Sequence, residues 1–260
     1  MIDNRVLALE GIHNFRDYGG YAVSGGGTLC EGVLFRSGQH IAATADDLAT
    51  VDGLALTSVV DLRGESERRI WPCARGAGFA AEVFFAEGET AGAGGAAHAV
   101  AARDVRTAED AHAAMLDLYA FMPLRPNLQA ALRHYFTALA KRPGASLVHC
   151  FAGKDRTGLA VALLHRLLGV HRDDMMDDYL LTNTAGHGDR RIAAGAEAIR
   201  RSRPQASDQA IRVLMKVHPA WLDAAMTTID RETGGADAYL ETALGLDRGV
   251  RDTLVARFVV

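Results

Sequence analysis

The feature that most constrains this chain is a short apolar segment joined to a helix by a glycine-containing loop. Ala145 to Val148 form a segment typical of a buried strand. Leu159 to Gly169 is rich in leucine and alanine and ends in glycine, as a helix with a C-terminal stop does. The connecting residues 149–158 read His-Cys-Phe-Ala-Gly-Lys-Asp-Arg-Thr-Gly. We therefore predict a strand that ends in a tight loop and opens directly into a helix N-terminus.

The 150–157 loop is suited to bind an anion. Successive backbone N–H groups in a tight loop attract negative charge, and the dipole of the following helix adds positive potential. Gly153 and Gly158 permit sharp turns and close approach to a ligand. Arg156 offers a planar fork that holds two phosphate oxygens at once. The predicted phosphate-binding residues are Phe151, Ala152, Gly153, Lys154, Asp155, Arg156 and Thr157.

Cys150 stands at the head of this loop. The same positive field favours its thiolate form, and a thiolate facing a bound phosphate is a nucleophile for phosphoryl transfer. The hydroxyl of Thr157 can hydrogen-bond the sulfur. A nucleotide-binding P-loop would need glycine at Val148 and serine or threonine at Asp155, so that alternative fails.

The spacing of Cys150 and Arg156 is a weak signal by itself, but its surroundings are specific. His149 precedes the cysteine, Gly153 follows three residues later, and Thr157-Gly158 follow the arginine. The full string resembles the signature loop of the cysteine-dependent protein tyrosine phosphatase superfamily. Its Gly-Lys-Asp-Arg-Thr-Gly part is similar to a bacterial branch of atypical tyrosine, dual-specificity and phosphoinositide phosphatases.

Other segments extend the resemblance over most of the chain. Asn-Phe-Arg-Asp-Tyr-Gly-Gly at residues 14–20 resembles a motif that frames the catalytic loop in that branch, although on its residues alone it is a surface turn. Arg36 to Gln39 and Val60 to Arg63 resemble the family's strand ends. The resemblance also implies a helical lid near Ala108 to Phe121, for which a helix packed permanently on the core is the alternative.

The fold class we expect is α/β, a dual-specificity-phosphatase-like, mostly parallel central sheet flanked by helices. Residues 1–260 are predicted to be a single phosphatase domain, with a flap or lid over about 88–122 and a helical C-terminal part over 173–260. The predicted strands are Thr28–Arg36, Leu56–Arg63 and Ala80–Phe85. The predicted helices before the loop are Thr44–Leu54, Ala108–Phe121 and Pro126–Lys141.

The resemblance implies a phosphocysteine mechanism in which Cys150 attacks and Arg156 holds the phosphate. Asp155 is implicated in catalysis in the similar branch and is the predicted general acid. Asp61 is the runner-up, because its strand should end at the same crevice; a solvated strand end or a salt bridge is its alternative. Trp71-Pro72-Cys73 is not the mobile Trp-Pro-Asp acid loop of many tyrosine phosphatases, because its third residue is cysteine. We predict that Trp71 packs in the core.

The predicted activity is hydrolysis of phosphate monoesters, with phosphotyrosine first and phosphoserine, phosphothreonine and phosphoinositides next. Lys154 adds a charge where a second phosphate could bind. The alternative is a non-catalytic phosphate-binding module of the same fold, although such a module usually lacks the cysteine or the arginine. No cofactor or metal is predicted, because the loop and Arg156 already neutralise the phosphate.

Composition excludes several other classes. The 260 residues carry a formal charge of -4, so no basic excess indicates a nucleic-acid partner. No apolar run is long enough for membrane insertion, and residues 1–11 lack the apolar core of a signal peptide. A cytoplasmic location is the expectation, with signal-independent secretion as the alternative. A basic cluster forms a solvated face or a surface for anionic headgroups or phosphopeptides; it comprises Arg190, Arg191, Arg200, Arg201 and Arg203.

Overall fold

A computed structural model describes residues 5–91, 105–186, 188–202 and 204–260. Its sheet, within these residues, has five strands: β1 Arg16–Asp17, β2 Leu34–Ser37, β3 Leu56–Asp61, β4 Glu82–Phe85 and β5 Ala145–His149. Their spatial order is β1-β2-β5-β3-β4, and only the β1–β2 pair is antiparallel. The predicted mostly parallel sheet is confirmed.

Helices flank this sheet and make up the C-terminal part of the chain. Those before the 150–157 loop are α1 Ala45–Gly53, α2 Glu65–Ile70, α3 Ala108–Phe121 and α4 Pro126–Lys141, with a 3₁₀ turn at Met122–Leu124. Those after it are α5 Asp155–Leu168, α6 Arg172–Leu181, α7 Gly188–Ser202, α8 Asp208–Met215, α9 Pro219–Thr233, α10 Ala236–Thr242 and α11 Arg248–Phe258. None of the described helices is long and apolar enough to cross a membrane.

The helix bounds follow the sequence signals closely. Thr44 and Thr107 cap α1 and α3 with their hydroxyl groups, each in a reciprocal capping box. The predicted bounds of α3 and α4 are confirmed to the residue. Helix α5 begins at Asp155 rather than at Leu159, because the end of the loop already forms its first turn, and it stops at Gly169 in the left-handed region.

The strand predicted over Thr28–Arg36 is wrong in its first half. Only Leu34–Ser37 belong to β2, while Thr28 and Leu29 form isolated bridges. Gly32 lies between these parts with a φ of 75° and donates its N–H to the carboxylate of Asp17. This turn prevents the chain from continuing as one extended strand.

The two central strands are buried on both faces. Val60 and Val148 belong to the larger core, which the C-terminal helices share, whereas Val59 and Leu147 belong to the smaller core on the opposite face. Strands buried on both faces read as continuous apolar runs, which is why β3 and β5 are recognisable in the sequence. The carboxyl ends of β2, β5 and β3 lie together, because Ser37 and Asp61 both pair with His149 in the register.

The predicted flap or lid falls partly on residues 92–104, which lie outside the described residues. Helix α3 packs against α8 and α9, and its face of Ala111, Met115 and Tyr119 is part of the larger core. This packing matches the alternative of a helix held on the core. The single domain over 1–260 and the helical division at 173 stay predictions.

Candidate active site

The 150–157 loop connects the buried end of β5 to the first turn of α5. Gly153 lies in the left-handed region with a φ of 66°, and a Cβ atom there would overlap the backbone of Ser37 and Gly38. Both conditions select glycine at this position. The loop therefore packs closely against the end of β2. The predicted order of strand, tight loop and helix N-terminus is confirmed.

Side chains from the N-terminal part of the chain hold the back of the loop. The carbonyl of Gly153 accepts hydrogen bonds from Asn14 Nδ2 at 2.5 Å and Arg36 Nη2 at 3.1 Å. Asn14 itself has a φ of 61°, so this residue adopts a backbone conformation that few others tolerate. The structure thus places Asn14 against the loop, as the resemblance implies for its motif.

A buried acid, Asp178 of α6, completes this frame. Its carboxylate accepts from Arg16 Nε at 3.0 Å and from Arg36 Nη1 at 2.5 Å. Burial alone would raise the pKa of Asp178, but Arg16 and Arg36 hold it well below its usual range. Sequence reasoning missed Asp178, because it lies in an acidic run and only the 3.6-residue period next to Met175 and Tyr179 marks it as inward-facing.

Arg156 is buried and is held by a partner that the sequence did not reveal. Its Nη1 donates to Glu67 Oε2 at 2.5 Å, and its Nη2 donates to Glu67 Oε1 at 2.9 Å. Nη1 also donates to the carbonyl of Leu62 and to Thr90 Oγ1. Its Nε is buried without a hydrogen-bond partner in the described part of the chain. The guanidinium edge formed by Nε and Nη2 could therefore donate to an oxyanion.

The charges around Arg156 connect it to the cysteine. Burial alone would lower the pKa of Arg156, but Glu67 and, to a smaller extent, Cys150 and Asp155 raise it above its ordinary value. Burial would also raise the pKa of Glu67, yet Arg156 holds it below its usual range. The pair is thus ionised on both sides, and Cys150, which is 2% exposed, lies within the field of this arginine.

Lys154 and Asp155 are bonded to helices that pack beside the loop. Lys154 Nζ donates to the carbonyls of Leu214 and Lys216 at the end of α8, at 2.5 and 3.1 Å. Asp155 accepts from Tyr119 Oη of α3 at 2.8 Å and lies 3.5 Å from Lys154 Nζ. The ammonium group is thus committed to the fold rather than presented to a second phosphate.

Asp61 lies at the end of β3 as predicted, but Arg63 occupies both of its oxygens. Arg63 Nε donates to Oδ1 at 2.9 Å and Nη2 donates to Oδ2 at 2.7 Å. Burial would raise the pKa of Asp61, but His149 and Arg63 hold it well below its usual range. The salt bridge that the sequence offered as an alternative is therefore present. Burial in turn lowers the pKa of His149 to about 4.

Comparison with known proteins agrees with this geometry. A family model of the tyrosine phosphatase family matches residues 7–260. This chain belongs to that family. A chain of Cupriavidus necator named among the tyrosine-protein phosphatases is 35% identical over 247 residues, covering 93% of this chain and 85% of the relative. The triple specificity protein phosphatase PtpB of Mycobacterium tuberculosis is 30% identical over 272 residues, covering 92% of this chain and 94% of the relative.

In this tyrosine phosphatase, Trp71 is not the core residue that we predicted. Its side chain is 37% exposed and packs edge-to-face on Phe151 of the loop, with ring centroids 5.2 Å apart. Helix α2 ends just before Trp71, and this end places the indole beside the loop instead of beneath the sheet.

The side chain of Thr157 is fully buried, and its hydroxyl has no hydrogen-bond partner among the described residues.

A cavity of about 260 Å³ adjoins the loop of the phosphatase at Phe151 and Ala152. Its other walls come from the turn after β2, with Gln39 and Ile41, and from α7 and α8, with Ala198 and Met215. Among the residues that the structure describes, no lysine, arginine or carboxylate lines it, and His13 is part of its wall. This space lies next to the loop and suits an uncharged, largely apolar group.

Two arginines of the predicted basic cluster have acidic partners. Arg200 pairs with Asp208 and Arg201 pairs with Glu197, whereas Arg203 lies outside the described residues.

Proposed function

We propose that this phosphatase hydrolyses phosphotyrosine through a phosphocysteine intermediate on Cys150. The thiolate attacks phosphorus in line as the bond to the tyrosyl oxygen breaks, and Asp155 protonates that oxygen. Water then breaks the sulfur–phosphorus bond and releases inorganic phosphate. The N–H groups of residues 151–157 and the fork of Arg156 balance the charge on the three equatorial oxygens, which is usually the largest catalytic effect in such reactions.

The observation that carries this proposal is the orientation of Arg156. Glu67 takes the outer edge of the guanidinium in two hydrogen bonds, while the buried Nε–H is without a partner among the described residues. An arginine that served only as a structural ion would satisfy this donor, because an unpaired buried N–H costs about 1–3 kcal/mol. A phosphate oxygen on the Nε and Nη2 edge would satisfy it.

Asp155 supports the role of general acid better than Asp61. Both oxygens of Asp61 already accept hydrogen bonds from the Arg63 guanidinium, and this pairing favours the ionised form. Asp155 has a neutral hydroxyl, Tyr119 Oη, as its direct partner and is the first residue of α5. Asp155 therefore takes part in no bidentate arginine pair of the kind that holds Asp61, and its nearest cation is Lys154 Nζ at 3.5 Å.

The cavity beside Phe151 and Ala152 supports an aryl phosphate as the first substrate. An inositol ring with further phosphates would need cationic partners. Neither lysine nor arginine lines this space within the described part of the chain, and Lys154 is bonded to the end of α8. The name of the mycobacterial relative nevertheless includes triple specificity. We therefore place phosphoserine, phosphothreonine and phosphoinositides second, and the non-catalytic phosphate-binding module last, because Cys150 and Arg156 are both in place.

Two measurements test the proposal. Cys150→Ser should abolish turnover yet keep affinity for vanadate, whereas Cys30→Ser, a change at a half-buried thiol away from the loop, should behave as wild type. Quenched wild-type enzyme should carry phosphate on Cys150. Turnover of phosphotyrosine, phosphoserine and phosphothreonine peptides and of phosphoinositides should rank the peptide with phosphotyrosine first. More than a few per cent of residual activity in Cys150→Ser would refute the mechanism, and a preference for phosphoinositides would refute the substrate.

A further inference from the structure

Three potential metal ligands converge behind the loop. The carboxylate of Asp61, the thiol of Cys73 and the imidazole of His149 place their ligand atoms within 4.8 Å of one another. The register of the sheet explains part of this, because Asp61 and His149 are paired residues at the ends of β3 and β5. Cys73 reaches the same point two residues after Trp71, where α2 has ended. None of the three has a role in the proposed reaction.

The imidazole of His149 has one nitrogen available to bind a metal ion. Its Nδ1 lies 3.3 Å from the carbonyl oxygen of Cys150, so this nitrogen carries the proton and leaves the lone pair on Nε2. Nε2 is fully buried and has no hydrogen-bond partner among the described residues, and it faces Asp61 Oδ2 at 3.8 Å. A backbone carbonyl that accepts the other N–H is the usual outer partner of a histidine bound to metal.

The other two ligands have comparable outer partners. Burial raises the pKa of the Cys73 thiol, and the backbone N–H of His40, which donates to Sγ at 3.4 Å, opposes this shift in part. The backbone N–H of Arg63 donates to Asp61 Oδ1 at 3.0 Å, and its guanidinium bonds both oxygens. Oδ2 accepts from Arg63 Nε at 3.1 Å as well as from Nη2 at 2.7 Å, so a cation bound to this oxygen would replace the longer of these two bonds. Ligating carboxylates are commonly hydrogen-bonded in this way.

We propose that Asp61, Cys73 and His149 form a binding site for a divalent cation of the zinc class, separate from the phosphate-binding loop. Bonds of about 2.0–2.3 Å in a tetrahedral zinc centre put neighbouring ligand atoms about 3.3–3.5 Å apart. The 3.8 Å between Asp61 and His149 is close to that separation. A thiolate with an imidazole selects zinc or cobalt over magnesium or calcium. Three protein ligands leave one position for water.

The positive charges nearby limit the affinity without removing the site. Arg63 contacts Asp61, and Arg75 Nη1 lies 3.5 Å from Nδ1 of the neighbouring His40. The thiolate and the carboxylate together balance the two charges of the cation, so the arginines act as outer partners. Cys73 is half-buried, which gives an ion a path to the site.

The test uses the full chain, stripped with a chelator and titrated with Zn²⁺ against a chromophoric competitor. Wild type should bind one equivalent, and Cys73→Ser should weaken binding by at least about 100-fold, since even outer partners contribute about 10–100-fold. Cys30→Ser is the matched control and should bind as wild type. Equal affinity in wild type and Cys73→Ser would overturn the proposal.

A second measurement does not depend on the folding of Cys73→Ser. The chain has three cysteines, so the Cys30→Ser/Cys150→Ser double variant keeps Cys73 as its only thiol. With Co²⁺ it should show the sulfur-to-cobalt charge-transfer band and the strong visible bands of a tetrahedral centre. Loss of the charge-transfer band in this double variant would show that the metal sits on the catalytic thiolate and that the proposed site is wrong. Neither measurement uses turnover, so the outcome is independent of the proposed activity.

Discussion

The contact between Glu67 and Arg156 gives the sharpest prediction. A change at Glu67 can alter the orientation of the Arg156 guanidinium without altering its positive charge. Glu67→Gln keeps the shape of the side chain but replaces one acceptor oxygen with an N–H donor. That donor would face a guanidinium N–H, since both carboxylate oxygens accept from Arg156. Arg156 would keep its charge and lose its fixed orientation.

The size of the effect follows from burial. Glu67 is fully buried and Arg156 is 2% exposed. Breaking a buried ion pair by changing one partner lowers the free energy of unfolding by about 3–5 kcal/mol. Because glutamine keeps one acceptor oxygen, we expect a loss of about 3 kcal/mol for this variant. For a domain of this size that corresponds to a fall in Tm of roughly 6–12 °C. A misplaced phosphate donor should also lower kcat/KM by about 10²-fold, the lower end for the loss of one oxyanion donor.

The assay pairs Glu67→Gln with Glu65→Gln, an exposed position on the same helix. Thermal unfolding, vanadate affinity and kcat/KM for a phosphotyrosine peptide are measured at a temperature where both variants are folded. We expect Glu65→Gln to match wild type in all three and Glu67→Gln to lose in all three. Wild-type kcat/KM in Glu67→Gln, whatever its Tm, would refute the claim that Glu67 orients the phosphate fork.

Further outcomes follow from the same geometry. Arg156→Lys should lower kcat/KM by about 10²–10³-fold, because a point charge cannot make two parallel hydrogen bonds; a loss of only a few-fold in steady-state kinetics would contradict this. Asp155→Asn should slow tyrosyl and alkyl phosphates far more than an activated aryl phosphate, and Asp61→Asn should not; the reverse pattern would exchange their roles. The pKa of Asp178 is lower in the folded state than its unfolded value of about 3.9, so its stabilising effect is fully present above that unfolded value and is lost progressively as the pH falls from there through the folded pKa. Asp178→Asn should therefore be less stable at pH 7 in urea unfolding and lose less stability than wild type between about pH 5 and pH 3; an equal loss would show that Asp178 does not titrate in this way.

The sequence predicts the elements whose signals are local. Two buried central strands, the capping threonines of α1 and α3, and the glycine stop of α5 depend on neighbouring residues along the chain. The strand–loop–helix passage at Cys150 is of this kind, as is the left-handed φ at Gly153, whereas the close approach of Gly153 to Ser37 and Gly38 is not. These parts of the site can therefore be recognised in the amino-acid sequence alone.

The partners of the loop could not be predicted, because they are distant in sequence. Glu67 lies 89 positions before Arg156, and Asp178 lies 142 positions after Arg36. Nothing in Glu65-Ser66-Glu67 shows which glutamate turns inward, since both are in the first turn of α2. The sequence suggests that Lys154 could bind a second phosphate, because its actual partners are also distant in sequence. Its partners are backbone carbonyls at the end of α8, and since every residue has a carbonyl, the sequence does not indicate which ones will accept.

Consecutive residues of the loop are bonded to different parts of the fold. The carbonyl of Gly153 accepts from side chains near β1 and β2, Lys154 donates to the end of α8, Asp155 accepts from α3, and Arg156 donates to α2. Together these bonds fix residues 153–156 against four different parts of the fold. In the proposed reaction, a loop without these contacts would relax as negative charge moved from the thiolate to the phosphoryl group and the leaving oxygen. Fixed donors need no such reorganisation, which is the physical source of their catalytic effect. Buried charges that would each destabilise an apolar core are paired here, and the proposed phosphoryl transfer would use the loop in the conformation that these pairs fix.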